Sequence, residues 1–261
     1  MKQQQERTNM EKSTKKYFKV IQITDTHLFA KDESEILGVK SNIQFKECLQ
    51  KIKTEDSDAD CIFLTGDISQ DHTAESYYYI AELLSAIQVP VYWIPGNHDD
   101  KEKVKEVFSK YPNFFNVRSL SVPNWHFIFL DTNLYGVAEG FLSQKEIMQL
   151  KNEIALCDKK LNIAIVMHHH PIPVGTPLID QYILKNNEDF WKVINGSNTK
   201  LVIHGHVHGD YHLIHQGISV HSSPATCLQW EKGTESLAIS KEIGYKIHFF
   251  DTSHKAVARL W

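Results

Sequence analysis

Five short stretches hold the side chains that could do chemistry. They are Asp25-Thr26-His27, Gly66-Asp67, Asn97-His98-Asp99, His168-His169-His170 and Gly205-His206-Val207-His208. Each offers oxygen or nitrogen donors of the kind that hold metal ions. Asp25, His27, Asp67, Asn97, one of the three consecutive histidines, His206 and His208 make seven candidate ligands. That is too many for one tetrahedral zinc. It suits two ions that share a carboxylate, and Asp67 is the candidate bridge because its two oxygens can be divided. No cysteine stands in these stretches, which counts against an iron–sulfur or structural zinc site. Donors of this mixture are compatible with Mn, Fe or Zn and do not choose among them.

Two ions about 3.5–4 Å apart clamp a phosphate for in-line displacement and lower the pKa of a bridging water. They also offset the charge that builds in the transition state. The leaving alkoxide then needs a proton. His98, between ligand Asn97 and Asp99, is the candidate general acid, with Asp99 orienting its ring and keeping it protonated. The Asp25/His27 and His206/His208 pairs are spaced i, i+2, so an extended segment points both members the same way. His168, His169 and His170 cannot all reach one centre from an extended chain, because alternate residues face opposite ways.

Each stretch ends an apolar run: Val20–Ile23, Cys61–Leu64, Val91–Ile94, Ile163–Met167 and Leu201–Ile203. These read as buried strands. Sites in α/β sheets form outside the carboxyl ends of the strands, so strands sharing a sheet would bring the five stretches together. Strands at about 17–24, 60–65, 90–94, 124–131, 161–167 and 199–203 alternate with helices near 41–54, 73–87, 100–110, 143–156 and 187–195. Asp71 or Thr73 would cap the second helix, and Ser143 with Glu146 forms a capping box. Beyond Gly209 short strands follow one another at 211–215, 218–222, 236–240, 243–250 and 256–260, which predicts an antiparallel tail. Two stacked sheets with helices outside accommodate both halves.

The chain has 261 residues, 42% of them hydrophobic, enough for one large α/β domain. Residues 1–16 are polar and aperiodic and are expected to be a loose extension, leaving 17–261 as a single domain. A net charge of −4 gives no overall pull on nucleic acid or an anionic membrane. No apolar run reaches about 18 residues, the length a membrane helix needs. The N-terminus lacks the apolar core of a secretory signal, and Cys48, Cys61, Cys157 and Cys227 form no paired motif. A cytoplasmic protein with reduced thiols is the expectation.

Taken in order, Asp25-x-His27, Gly66-Asp67, Gly96-Asn97-His98-Asp99, His169-x-Pro171 and Gly205-His206-x-His208 resemble the signature of the calcineurin-like metallophosphoesterases. Thr65–Asp71, His168–Pro173 and Pro224–Gln229 carry the likeness further, toward the bacterial class III cyclic AMP phosphodiesterases. It runs from about Tyr17 to the end. The resemblance implies a four-layer αββα sandwich of two mixed sheets flanked by helices. It implies two divalent or mixed-valence ions, Fe and Mn before Zn. Asp25, His27, Asp67 and His208 would hold one, and Asp67, Asn97, His169 and His206 the other. His169 is chosen because the family's ligand stands two residues before the proline. Phosphate contacts would fall to His27, Asp67, Asn97, His98 and His208. The implied reaction is hydrolysis of 3′,5′-cyclic AMP to 5′-AMP by a monomer or homodimer, with a broad phosphodiesterase or phosphomonoesterase as the alternative. A non-catalytic scaffold is the remote alternative. Tyr135, Phe141 and Trp230 are candidates to stack a purine.

Overall fold

The computed structural model describes residues 16–134 and 136–261. The N-terminal extension, Lys16 apart, and Tyr135 lie outside the described residues. In chain order the elements are β1 (Phe18–Ile23), α1 (Ser41–Glu55), β2 (Cys61–Thr65), α2 (Ala74–Ser85), β3 (Val91–Ile94), α3 (Lys101–Phe108) and β4 (Phe114–Phe115). There follow β5 (Ser119–Val122), β6 (Trp125–Phe129), α4 (Gln144–Leu156), β7 (Asn162–Val166), α5 (Pro177–Asp180), α6 (Asn187–Ile194) and β8 (Thr199–His204). The last part holds β9 (His212–His215), β10 (Ile218–Ser222), β11 (Gln229–Trp230), β12 (Ile239–Ser240), β13 (Gly244–Phe250) and β14 (His254–Leu260).

Two six-stranded sheets result, in the orders β14-β13-β1-β2-β3-β4 and β5-β6-β7-β8-β10-β9. Both are mixed. β1 to β4 run parallel, with β13 and β14 joined antiparallel beside β1. β6, β7, β8 and β10 run parallel, flanked by antiparallel β5 and β9. The all-antiparallel tail expected beyond Gly209 therefore needs correction. β9 and β10 form the expected hairpin, but β10 also lies parallel to β8. The predicted strand 236–240 shrinks to β12.

Side-chain alternation builds the layers. On the first sheet Ile21, Ile23, Ile62 and Leu64 pack under Phe45, Leu49, Ile80 and Leu84 of the helices. On the second, Ile128, Ile165 and Val202 pack under Leu150, Phe190 and Ile194. The alternate residues Val20, Phe63, Phe127, Ala164, Leu201 and Ile203 meet between the sheets. Strands apolar on both faces are what a sheet covered on both sides requires, and the sandwich has the expected four layers. Thr73 caps α2 by accepting from Ser76 N. Ser143 Oγ accepts from Glu146 N at 3.1 Å, but the Glu146 carboxylate pairs with Arg118 instead of closing the box.

Candidate metal centre

The five stretches converge. Asp25 and His27 follow β1, Asp67 follows β2, and Asn97, His98 and Asp99 follow β3. His168 to His170 follow β7, and His206 and His208 follow β8. Both sheets thus deliver donors from their carboxyl ends to one place. The extended geometry expected for the i, i+2 pairs is not what brings them there. Asp25, His27, Asp67, His206 and His208 all stand in left-handed backbone, with φ of 52°, 44°, 51°, 69° and 39°. Such positions cost of order 1–3 kcal/mol each and concentrate at sites where function requires them. Loop-to-loop bonds hold them: Asp25 N donates to Gly66 O and His27 N to Asp67 O, both at 3.0 Å. Gly96 lets the loops after β2 and β3 approach closely, since a Cβ there would collide with the Asp67 carboxylate and backbone.

The donors form two groups around Asp67. In the first, His27 Nε2 and His208 Nε2 are 3.1 Å apart, with Asp67 Oδ2 3.7 Å from the former and Asp25 Oδ1 3.5 Å from the latter. His27 Nδ1 faces Gln70 Oε1 at 2.7 Å and His208 Nδ1 faces the Leu228 carbonyl at 3.0 Å. Carbonyl oxygens only accept, so both Nδ1 atoms carry the proton and both Nε2 atoms present lone pairs. In the second group, Asn97 Oδ1 stands 3.2 Å from His168 Nε2 and 3.0 Å from His206 Nδ1, and Asp67 Oδ1 is 3.3 Å from His168 Nε2. His168 Nδ1 donates to the Thr65 carbonyl at 2.7 Å, which turns another lone pair inward. Acceptors facing acceptors in buried space are unfavourable unless a cation lies among them. The donor set therefore fits metal ions, with the His27, His168 and His208 rings oriented from behind as metal-bound histidines are, while His206 Nε2 is buried with no hydrogen-bond partner among the described residues.

His169 is differently engaged. Its Nε2 faces the Ala138 carbonyl at 3.2 Å and its Nδ1 pairs with Thr132 Oγ1 at 2.7 Å. Ala138 requires the proton on Nε2, so the remaining lone pair goes to the Thr132 hydroxyl. His169 is close to His168 and His206 but has both nitrogens occupied. His170 lies beneath, with Nε2 3.4 Å from Asp180 Oδ1.

Asp99 also differs from expectation. Its carboxylate accepts from Gly96 N at 2.9 Å, Ile68 N and Ser69 N at 3.1 Å, and Tyr77 Oη at 3.2 Å. Those donors tie the loop after β2 to the loop after β3, and none belongs to the His98 ring. The half-buried His98 ring instead stands edge-on to His27, centroids 4.9 Å apart. Its backbone N donates to Asp67 Oδ1 at 2.8 Å.

Burial dominates the electrostatics. It raises Asp25 to about 7 and Asp99 to about 6, and lowers His27 to about 4 and His206 and His208 well below the usual imidazole range. Burial also opposes ionisation of Asp67, but His168, His98 and His27 hold it well below the carboxylate range. At His168 burial is overridden by Asp67 and Asp25, and the ring rises to about 9. A proton at His168 thus answers the carboxylates of Asp67 and Asp25.

Residues unremarked as ligands complete the setting: Gln70, Thr65, Thr132 and Leu228 orient rings, and Trp230 lies 5.1 Å from the His208 ring. The buried Cys227 thiol, pushed well up by burial, sits 3.7 Å from His208 Nδ1, on the side away from the inward lone pair. Phe141 is exposed. Cavities of 440 Å³ beside Trp191 and 530 Å³ beside Arg118 contain none of the converging donors. The site is recognised by donor chemistry rather than volume.

This strand-end donor arrangement agrees with the comparison by sequence. Residues 18–210 match the calcineurin-like phosphoesterase family. The chain belongs to that family. A 3′,5′-cyclic adenosine monophosphate phosphodiesterase of Vibrio vulnificus is 35% identical over 85% of this chain and 81% of its own. A protein of the same description from Haemophilus influenzae is 34% identical over 83% and 79%. A dimetal phosphatase of Danio rerio shares the fold with a TM-score of 0.66 at 14% identity, over 92% of this chain and 98% of its own. The chain is a hydrolase of this phosphoesterase family, and its converging donors serve divalent metal. No helix among the described residues is long and apolar enough to cross a membrane.

Proposed function

We propose that the chain hydrolyses 3′,5′-cyclic AMP to 5′-AMP at a two-metal centre after the strand ends. The observation that carries this reading is the pair of donor groups sharing Asp67, in a chain 35% identical to a protein named for this reaction. Asp25, His27, Asp67 and His208 hold one ion; Asp67, Asn97, His168 and His206 hold the other. His168 replaces His169 in the ligand set because its lone pair faces Asn97 and Asp67 while both His169 nitrogens are occupied. This mixed imidazole and oxygen set, free of thiolate, suits iron, manganese or zinc; iron and manganese come first only on the family resemblance.

When bound, such ions act as Lewis acids on the phosphoryl oxygens and make hydroxide available near neutral pH. The remaining work falls to the chain. His27, Asp67, Asn97 and His208 surround the position of the phosphate, and the His98 N–H bond to Asp67 fixes the turn that presents the imidazole. Water adds to phosphorus and the P–O3′ bond breaks. His98 gives its proton to the departing O3′, leaving a 3′-hydroxyl and a 5′-phosphate. Asp99 supports this turn through Gly96 N and Ile68 N rather than through the ring. A cytoplasmic location goes with this substrate.

The test is 5′-AMP formation by chelator-stripped protein with and without added Mn²⁺. Metal-dependent turnover supports the reading. Metal-dependent cleavage of bis(p-nitrophenyl) phosphate without cyclic AMP turnover would keep the centre and reject the substrate.

A further inference from the structure

His72 stands outside the donor groups yet beside the reacting position. Its ring is nearly parallel to that of His98, 5° between planes and 6.4 Å between centroids. His98 in turn meets His27. The three imidazoles therefore run outward from the first metal position in the order His27, His98, His72. The His72 side chain is exposed, and its ring nitrogens make no hydrogen bond among the described residues.

The backbone beneath that ring is built with care. His72 adopts a left-handed φ of 56°, uncommon for a residue with a side chain. Its N–H donates to Ser69 Oγ at 2.9 Å, and its carbonyl accepts from Lys103 Nζ at 2.9 Å. The neighbouring Asp71 carboxylate accepts from Ala30 N at 2.7 Å and Thr73 Oγ1 at 2.8 Å. A strained residue held from both sides, with its ring in solvent, is arranged to present that ring rather than to pack it.

Resting on the cyclic nucleotide reading above, we propose that His72 contacts the nucleoside and reads the ribose 2′-hydroxyl. With His98 at the departing O3′, the adjacent substituent on the sugar is the 2′-hydroxyl, and this assignment has it on the His72 side of His98, away from His27. A neutral imidazole offers one donor and one acceptor, matching a hydroxyl that both gives and takes a hydrogen bond. His72 is thus a specificity-determining residue: it favours ribonucleoside cyclic phosphates over 2′-deoxy analogues and over diesters without a sugar.

The test compares kcat/KM for 3′,5′-cyclic AMP, its 2′-deoxy analogue and bis(p-nitrophenyl) phosphate in the Mn²⁺-loaded wild type, His72→Gly and His72→Asn. Both replacements tolerate left-handed backbone, and neither reaches as far as imidazole. Loss of one neutral hydrogen bond should lower the ribo-to-deoxy preference by about three- to ten-fold in both variants. The ratio of Kd for the deoxy to Kd for the ribo Rp phosphorothioate should fall by the same factor, independently of turnover. A ribo-to-deoxy ratio unchanged in both variants overturns the assignment while leaving the cyclic nucleotide reading intact. A wild type that cleaves the aryl diester and neither cyclic nucleotide overturns both.

Discussion

His27 Nε2 and His208 Nε2 face each other across 3.1 Å, each with its other nitrogen committed to a carbonyl oxygen. Two lone pairs at this separation repel in the absence of a cation. Metal removal should therefore loosen the loops after β1 and β8. We expect the loaded chain to contain two ions and to melt higher than the stripped one. At free metal near 100 times Kd the gain is about 2.7 kcal/mol per site. Elemental analysis with thermal unfolding checks this; equal melting with and without metal would refute it.

His168 and His169 are separable by mutation. His168→Ala should drop metal content below two ions per chain and weaken metal binding strongly. His169→Ala removes a partner of Thr132 and Ala138 and should retain both ions, with affinity reduced by about 10–100-fold at most, as for loss of a supporting group. Metal titration on the two variants decides between them, and the opposite order would return His169 to the ligand set.

His98→Ala should keep its metals and lose about 10²–10⁴-fold in turnover of cyclic AMP, the range for a missing acid. The loss should shrink for aryl diesters, whose phenolate leaves without a proton. A series of substituted phenyl esters measures this. Equal losses across the series would show that His98 acts on something other than the leaving oxygen. Asp99→Asn, by contrast, should reveal itself first in thermal stability, because the carboxylate organises Gly96 N, Ile68 N and Ser69 N.

At the far edge of the sandwich, His221 and His254 lie between β10 and β14 with centroids 5.1 Å apart. Burial, aided by Lys246, lowers His254 to about 4 and His221 to about 2. An unfolded histidine binds its proton near 6.5. Below that pH the unfolded chain takes up protons the folded chain refuses, so stability is full above about 6.5 and declines as pH falls toward 4. Urea midpoints from pH 7.5 to 4.5 should show the decline, and His254→Asn should flatten it. An unchanged slope in that variant would assign the acid sensitivity elsewhere.

The ligand chemistry was legible in the chain because each donor stretch directly follows an apolar run, and strand ends are where donors from distant segments can meet. Asp25, His27, Asp67, Asn97, His206 and His208 could be singled out as candidate donors from residue type and spacing alone, as could the alternation that builds two covered sheets. Three matters waited for the tertiary structure. Which of His168 and His169 turns inward depends on the Thr65 carbonyl behind one and the Thr132 and Ala138 oxygens around the other, and those partners come from remote elements. Asp99 sits next to His98 in sequence, but four donors from the loops after β2 and β3 and from α2 claim its carboxylate first. β10 pairs parallel to β8 because it fills the sheet position beside it, while the local turn signal spoke only of its hairpin with β9. Residue type and periodicity are local properties and survive in the unfolded chain; ring orientation, hydrogen-bond ownership and strand neighbours are settled by competition among groups that meet only after folding.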